Sequence, residues 1–155
     1  MRITVFGAAG NIGKQAAKEA LSRGHEVTAV ARSADRFSEF PIGVKAVVGD
    51  VNRVEDVIRL SQGQDLVISA TRPPQGHEEQ LVEIAESLLE GLAVTNTRLL
   101  LVGGAACLTV PNANGRLVLD DPELVPDAWK GIALACMAQY QLCQSNNVVN
   151  WTYMS

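Results

Sequence analysis

The chain is poor in aromatic residues, cysteine and histidine, and it has no excess of positive charge. Aromatics make up 5% of its 155 residues, and 13 basic side chains face 17 acidic ones, for a net charge of −4. A nucleic-acid binder needs a basic footprint and stacking rings, so direct nucleic-acid binding is excluded. The three cysteines, Cys107, Cys136 and Cys143, are odd in number and lack CxxC spacing. That pattern does not build a disulfide framework and reads as small buried thiols, with Cys136 and Cys143 able to share a helix face. His25 and His77 lie far apart with no ligand spacing, so no metal site is expected. No run reaches the ~20 apolar residues that span a bilayer. The apolar run Ile3–Phe6 is too short for a signal-peptide core. The expectation is a soluble, cytoplasmic protein with no membrane partner. Hydrophobic residues make up 47% of the chain, too many for a disordered one. At roughly 150 residues per domain, residues 1–155 read as a single domain.

What is present is an alternation of short apolar runs and helical patterns, the signature of consecutive βα units. Ile3–Phe6 is continuous in apolar character, as a parallel strand buried on both faces requires. Asn11–Ser22 carries Ile12, Ala16, Ala17, Ala20 and Leu21 at helical spacing, and Gly24 stands where that helix ends. Further strands are predicted at Val27–Ala31, Val44–Val48, Asp65–Ala70, Arg98–Val102 and Val148–Met154. Between them fall a helical turn at Ser33–Phe37 and a helix over Val54–Ser61 capped by Asn52. Another helix carries Leu81, Ile84, Ala85, Leu88 and Leu92. A long connection after Gly103 holds a small hairpin of Leu108–Val110 and Arg116–Leu119. The last helix, Asp127–Gln144, places Trp129, Ile132, Cys136, Tyr140 and Cys143 on one side. Trp129, Met137 and Tyr140 are expected in the core or a pocket wall. The fold class is α/β, a three-layer doubly wound parallel sheet of about six strands, the Rossmann architecture.

The first strand runs into Gly7-Ala8-Ala9-Gly10-Asn11-Ile12-Gly13 and then a helix. Gly7 permits the tight turn, Gly10 lets backbone approach a pyrophosphate, and Gly13 lets the helix pack close on the strand. The free N–H groups near Asn11 and Ile12 then face the phosphates at the positive end of the helix dipole. Gly7, Ala9, Gly10, Asn11 and Ile12 are therefore candidate cofactor-binding residues.

The ribose is read at the end of the second strand. NAD binders often carry an acid there to hold the 2′-hydroxyl. Here the strand ends Val30-Ala31-Arg32, followed by Arg36. Guanidinium forks bind a 2′-phosphate in charge-assisted pairs, which favours NADP(H) over NAD(H), the latter kept as the second choice. Asp35 is expected to point away or to pair with an arginine. Ligands sit outside the carboxyl ends of such sheets. That adds Asp50 and Val51 after the third strand, Ala70, Thr71 and Arg72 after the fourth, and Gly104 after the fifth. Asp50 can meet the adenine amino group or help start the next helix. Pro73 and Pro74 stiffen the loop that would line the nicotinamide half.

These pieces resemble the atypical branch of the short-chain dehydrogenase/reductase superfamily. They are most similar to the NAD(P)H-binding NmrA-like proteins and the small NADPH-dependent flavin reductases related to biliverdin-IXβ reductase. The similarity is carried by GAAGNIG at 7–13, HEVTAVARSADR at 25–36, VVGDV at 47–51, QDLVISATR at 64–72, RLLLVGGAA at 98–106 and NWTYMS at 150–155. In that branch two arginines four residues apart hold the 2′-phosphate, which matches Arg32 and Arg36. The better-known members of the superfamily use Tyr-x-x-x-Lys on the helix after the fifth strand, and they and the biliverdin reductase relatives place a Ser just after that strand. Here Tyr140 is followed by Gln144 rather than Lys, and Gly103-Gly104-Ala105-Ala106 carries no hydroxyl. Lys130 lies too far upstream to replace the missing lysine. Chemistry that handles a proton at the substrate is therefore not expected.

Hydride transfer to a small-molecule acceptor such as flavin asks less of the protein, which has only to hold two rings face to face. An NADPH-dependent reductase of a flat acceptor is the leading expectation, with no catalytic residue assigned. The rival is a redox sensor without turnover that uses the 103–126 connection to meet a protein partner. His77 is read as a solvated loop residue, with a general-acid role as the alternative, and His25 as structural. Monomer and weak homodimer both stay open. Relatives of this kind continue past the sixth strand with a segment that covers the acceptor. The resemblance therefore implies a chain lacking that segment, as a truncated form or a minimal binder, with an exposed apolar edge in its place.

Overall fold

A computed structural model describes residues 1–155. One sheet contains β1 (Arg2–Phe6), β2 (Glu26–Ala31), β3 (Lys45–Val48), β4 (Leu66–Ser69), β5 (Arg98–Val102) and β6 (Trp151–Met154). Every pairing is parallel, in the spatial order β3-β2-β1-β4-β5-β6. The helices are α1 (Asn11–Ser22), α2 (Val54–Ser61), α3 (Gln80–Thr95) and α4 (Asp127–Ser145). The fold is the doubly wound α/β sheet that the alternating pattern predicts. Chain direction across the sheet reverses between β1 and β4, and that reversal opens a crevice at their carboxyl ends.

Both faces of the central strands are buried, which is why they read as continuous apolar runs. On one face Val5, Ala29 and Ile68 pack against Ala17 and Ala20 of α1 and against Phe40. On the other, Phe6, Val67, Leu99 and Leu101 meet Val57 of α2 and Leu88 and Leu92 of α3. Gly91 of α3 is small because α2 crosses there: a Cβ would stand 2.6 Å from Val57 Cγ1. A third, smaller cluster joins Leu81 of α3 to Cys136 and Met137 of α4. Cys136 and Cys143 share the buried side of α4, and burial pushes the Cys143 thiol up to about 11.

The amino end of the sheet is closed by hydroxyls. Thr97 Oγ1 donates to the Ser61 carbonyl at 3.1 Å, and Ser61 Oγ lies 2.9 Å from Thr95 Oγ1. Thr4 Oγ1 donates to the Leu60 carbonyl at 2.8 Å. These bonds satisfy the last carbonyls of α2, which its own hydrogen bonds cannot reach.

Several sequence expectations change. Asn52 does not cap α2: Arg53 is the N-cap, and the Asn52 amide donates instead to Asp50 Oδ1 at 3.0 Å. The α2 N-terminus is served electrostatically by Glu55 and Asp56 in its first turn. The hairpin shrinks to one antiparallel bridge, Thr109 with Leu117, because Val118–Asp120 closes into a 3-10 turn. β6 starts at Trp151, not Val148, because Asn146 Oδ1 holds the Val148 and Val149 N–H groups at 3.1 and 2.9 Å. Met137 is buried and Tyr140 half-buried, but Trp129 is 62% exposed. It sits in the first turn of α4, and the packed cluster begins only at Ile132. At the β6 edge, Trp151 and Tyr153 pack against the core, whereas Met154 is exposed and Leu100 and Val102 of β5 are half-buried. No helix of the chain is long and apolar enough to cross a membrane.

Candidate cofactor site

A cavity of about 550 Å³ opens at the carboxyl ends of β1, β2, β3 and β4. One wall is the turn after β1, with Gly7, Ala9, Gly10, Asn11 and Ile12. Arg32 and Arg36 stand at its β2 side, Asp50 and Val51 follow β3, and Ala70, Thr71 and Arg72 follow β4. Gly104 does not line it. Its N–H donates to the Tyr153 hydroxyl at 3.3 Å, and a Cβ there would lie 2.9 Å from Cys136 Sγ. The space beside Gly104 is taken by β6 and α4. Gly49, Asn52, Gln80 and Ile84 also line the cavity and carry no motif of their own. Only the general rule that helices after β-strands start at the ligand edge pointed towards Gln80 and Ile84.

The glycine turn is built for backbone approach. Gly7 has φ +78°, and a Cβ would stand 2.5 Å from the Ala70 carbonyl oxygen. A Cβ on Gly13 would overlap the Gly7 carbonyl, so α1 can pack this tightly only with glycine there. Gly10 is the N-cap of α1, with no side chain capping the helix and no acid in the first turn. The first helical bond runs from the Lys14 N–H to the Gly10 carbonyl at 2.9 Å. The amides of Asn11, Ile12 and Gly13 precede it without a partner in the chain. Unpartnered amides at a positive helix end, with no side chain in front, suit a pyrophosphate.

The two arginines differ. Arg32 has no carboxylate partner, whereas Arg36 is gripped by Glu39, Nε to Oε1 and Nη2 to Oε2, both at 2.8 Å. The Arg36 hydrogen bond holds Glu39 below the usual carboxylate range, and Glu39 raises Arg36 in turn. The partner of Arg36 is thus Glu39 rather than Asp35. Asp50 accepts from the Asn52 N–H and amide at 3.0 Å and donates its own N–H to Asp56 Oδ2 at 3.0 Å. Asp56 is held low, first by the Arg59 hydrogen bond and then by that N–H.

At the acceptor end the cavity presents Thr71, Arg72, Pro73, Pro74 and Gln80. Thr71 Oγ1 is anchored 3.2 Å from Ser69 Oγ. The loop beyond is pinned by Glu78, whose Oε1 accepts the Gly76 N–H at 2.9 Å. His77 is outside the cavity, 59% exposed, with Nδ1 3.6 Å from Glu79 Oε1. Tyr140 accepts from Gln144 Nε2 at 3.0 Å and packs edge-on against Tyr153 with centroids 5.2 Å apart. Lys130 Nζ donates to the Leu119 carbonyl at 2.7 Å, so it serves the long connection. Tyr153 is raised by burial, and its hydroxyl donates to the Cys136 carbonyl at 3.1 Å.

This fold and this glycine turn define a dinucleotide-binding protein. Residues 7–155 match the NAD(P)H-binding family, and the chain belongs to that family. The cofactor is NAD(P)H, and the unpartnered amides behind Gly7 and Gly10 fit it. The chain is 32% identical to the uncharacterised protein YwnB of Bacillus subtilis strain 168, over all of this chain and 71% of that one. Among solved structures it is similar to a Burkholderia pseudomallei protein described as a candidate exported protein. That match has 34% identity and a TM-score of 0.85, covering 99% of this chain and 70% of that one. It is also similar to a candidate NADH-flavin reductase of Streptococcus pneumoniae TIGR4, at 31% identity and a TM-score of 0.84, with 99% and 70% covered. One of these relatives carries a reductase name, and the chain has an oxidoreductase-like NAD(P)H-binding fold.

Proposed function

We propose that the chain is an NADPH-dependent reductase of a flavin or another flat acceptor, of the NmrA-like, biliverdin-IXβ-reductase-like kind. When bound, NADPH supplies the hydride, which passes directly to the acceptor. In this reading the Asn11 and Ile12 amides hold the pyrophosphate, and Arg32 and Arg36 hold the 2′-phosphate. Asp50 and Val51 flank the adenine. Thr71, Arg72 and the stiff Pro73-Pro74 loop shape the wall against which the two rings meet.

The observation that carries the reading is the contrast along one cavity. Its ribose end holds two guanidinium groups, and its acceptor end holds no tyrosine, lysine, histidine or serine to relay a proton. Such a site positions reactants and leaves the chemistry to the cofactor. The name of the Streptococcus pneumoniae relative, with flavin as acceptor, lends support. The test is NADPH oxidation with FMN or FAD, followed by loss of nicotinamide absorbance. Turnover well above the rate of free NADPH with free flavin is expected. Full cofactor binding without turnover would reject the reductase reading.

A sensor is the second reading. Leu108, Leu124 and Trp129 are exposed in and beside the 103–126 connection, and Asn112, Asn114 and Gly115 at its tip all have positive φ. A protein partner whose binding changes with NADPH, in a chain that does not oxidise it, would favour the sensor.

A further inference from the structure

We infer that Glu39 is a specificity-determining residue of the cofactor site. It competes with the 2′-phosphate for Arg36 and so narrows the preference for NADPH over NADH that two free arginines would impose. The inference rests on the proposed reading of the 2′-phosphate by Arg32 and Arg36.

The geometry is that of a mimic. Glu39 meets Arg36 through two parallel N–H···O bonds, both 2.8 Å, the fork that a phosphate would use. Arg36 lines the cofactor cavity and Glu39 does not. The Nε/Nη2 edge of the guanidinium is thus occupied, and a phosphate that reads Arg36 through that edge has to displace the carboxylate. Both residues lie on the 3-10 turn Ala34–Glu39, where positions three apart stack one above the other. The pair is half exposed, 50% for Arg36 and 43% for Glu39, so it is weak enough to exchange.

The surrounding charges support the competition. Residues 32–39 contain Arg32, Asp35, Arg36 and Glu39, two positive and two negative, so the segment facing the 2′-position is neutral overall. Lys14 attracts Glu39 and lines the same surface hollow, which gives the carboxylate a second cation when Arg36 turns to a phosphate. NADPH therefore has to displace Glu39 from Arg36, whereas NADH has nothing to displace.

The test is calorimetric titration of the full chain with NADPH and NADH, for the wild type, Glu39→Gln, Arg36→Ala and the double variant. Glu39 is on the surface, so each variant should keep the wild-type thermal midpoint without nucleotide. Glu39→Gln is expected to tighten NADPH about 3- to 5-fold and to leave NADH within about twofold. The gain should vanish in the Arg36→Ala background. An unchanged NADPH/NADH ratio in Glu39→Gln, with NADPH weakened by Arg36→Ala, would overturn the role of Glu39 alone. Equal tightening of both nucleotides would overturn it too, as a general charge effect. NADPH binding indifferent to Arg36→Ala and to Arg32→Ala would overturn the 2′-phosphate reading, and this inference with it.

Discussion

At the amino end of the sheet, the Ser61, Thr95 and Thr97 hydroxyls and the last carbonyls of α2 satisfy one another at 2.9 to 3.1 Å. At the carboxyl end, the Asn11 and Ile12 amides and the Arg32 guanidinium have no partner within the chain. The same strands thus end once in a closed polar network and once in an open set of donors. A buried network left half made is costly, so the closed end reads as stability. Donors left open around a cavity read as places for a ligand's acceptors. The difference separates residues that hold the fold from residues that we propose hold NAD(P)H, and substitutions can test that separation.

The largest effect is expected from Gly7→Ala. The new Cβ would sit at a positive φ and against the Ala70 carbonyl, with strain of about 1–3 kcal/mol. Displacing the turn should weaken NADPH binding by roughly 100-fold in a calorimetric titration and lower the thermal midpoint. Arg32→Glu comes next. Loss of a charge-assisted bond worth about 1.5–3 kcal/mol should weaken NADPH roughly 10- to 100-fold, with NADH little changed, so that the preference reverses. Thr97→Val strikes the closed end. It removes one of the two donors to the Ser61 carbonyl, which keeps the Gln64 N–H at 3.0 Å, and should destabilise the chain by about 1 kcal/mol in denaturant unfolding, with NADPH affinity unchanged.

The smallest effect concerns pH. Asp56 is held below its ordinary value by Arg59 and the Asp50 N–H, so its folded form binds a proton less readily than the unfolded chain. Its contribution is present above the ordinary carboxylate range near pH 4 and is lost as pH falls through the lowered value. Asp56→Asn should flatten the acid limb of stability against pH, by no more than about 1 kcal/mol, in unfolding measured between pH 3 and 7.

Much of this architecture was legible from residue order. Parallel strands buried on both faces must be largely apolar, and Ile3–Phe6, Val27–Ala31 and Leu99–Val102 read accordingly. The glycine turn was equally plain, because a backbone that must pass within contact of Ala70 leaves no alternative to Gly7. Side-chain partners were harder to read. Asn52 had the right type for a cap but stands one residue before the N-cap, and its amide turns to Asp50. Trp129 follows the helical period of α4, yet periodicity does not tell where a helix begins to touch its neighbours. Gly104 has the right place after β5, but Tyr153 and Cys136 come from distant sequence to fill the space beside it. Glu39 was invisible because two half-exposed residues three apart on a turn pair only once the turn's pitch is known.

A thermal-shift titration of the full chain with NADPH and NADH in parallel tests the central claim, an open carboxyl end that takes a 2′-phosphorylated dinucleotide. At about 100 times its dissociation constant a ligand stabilises by about 2.7 kcal/mol. NADPH should raise the midpoint, and do so at lower concentration than NADH. A midpoint unmoved by either nucleotide, or moved first by NADH, would contradict it.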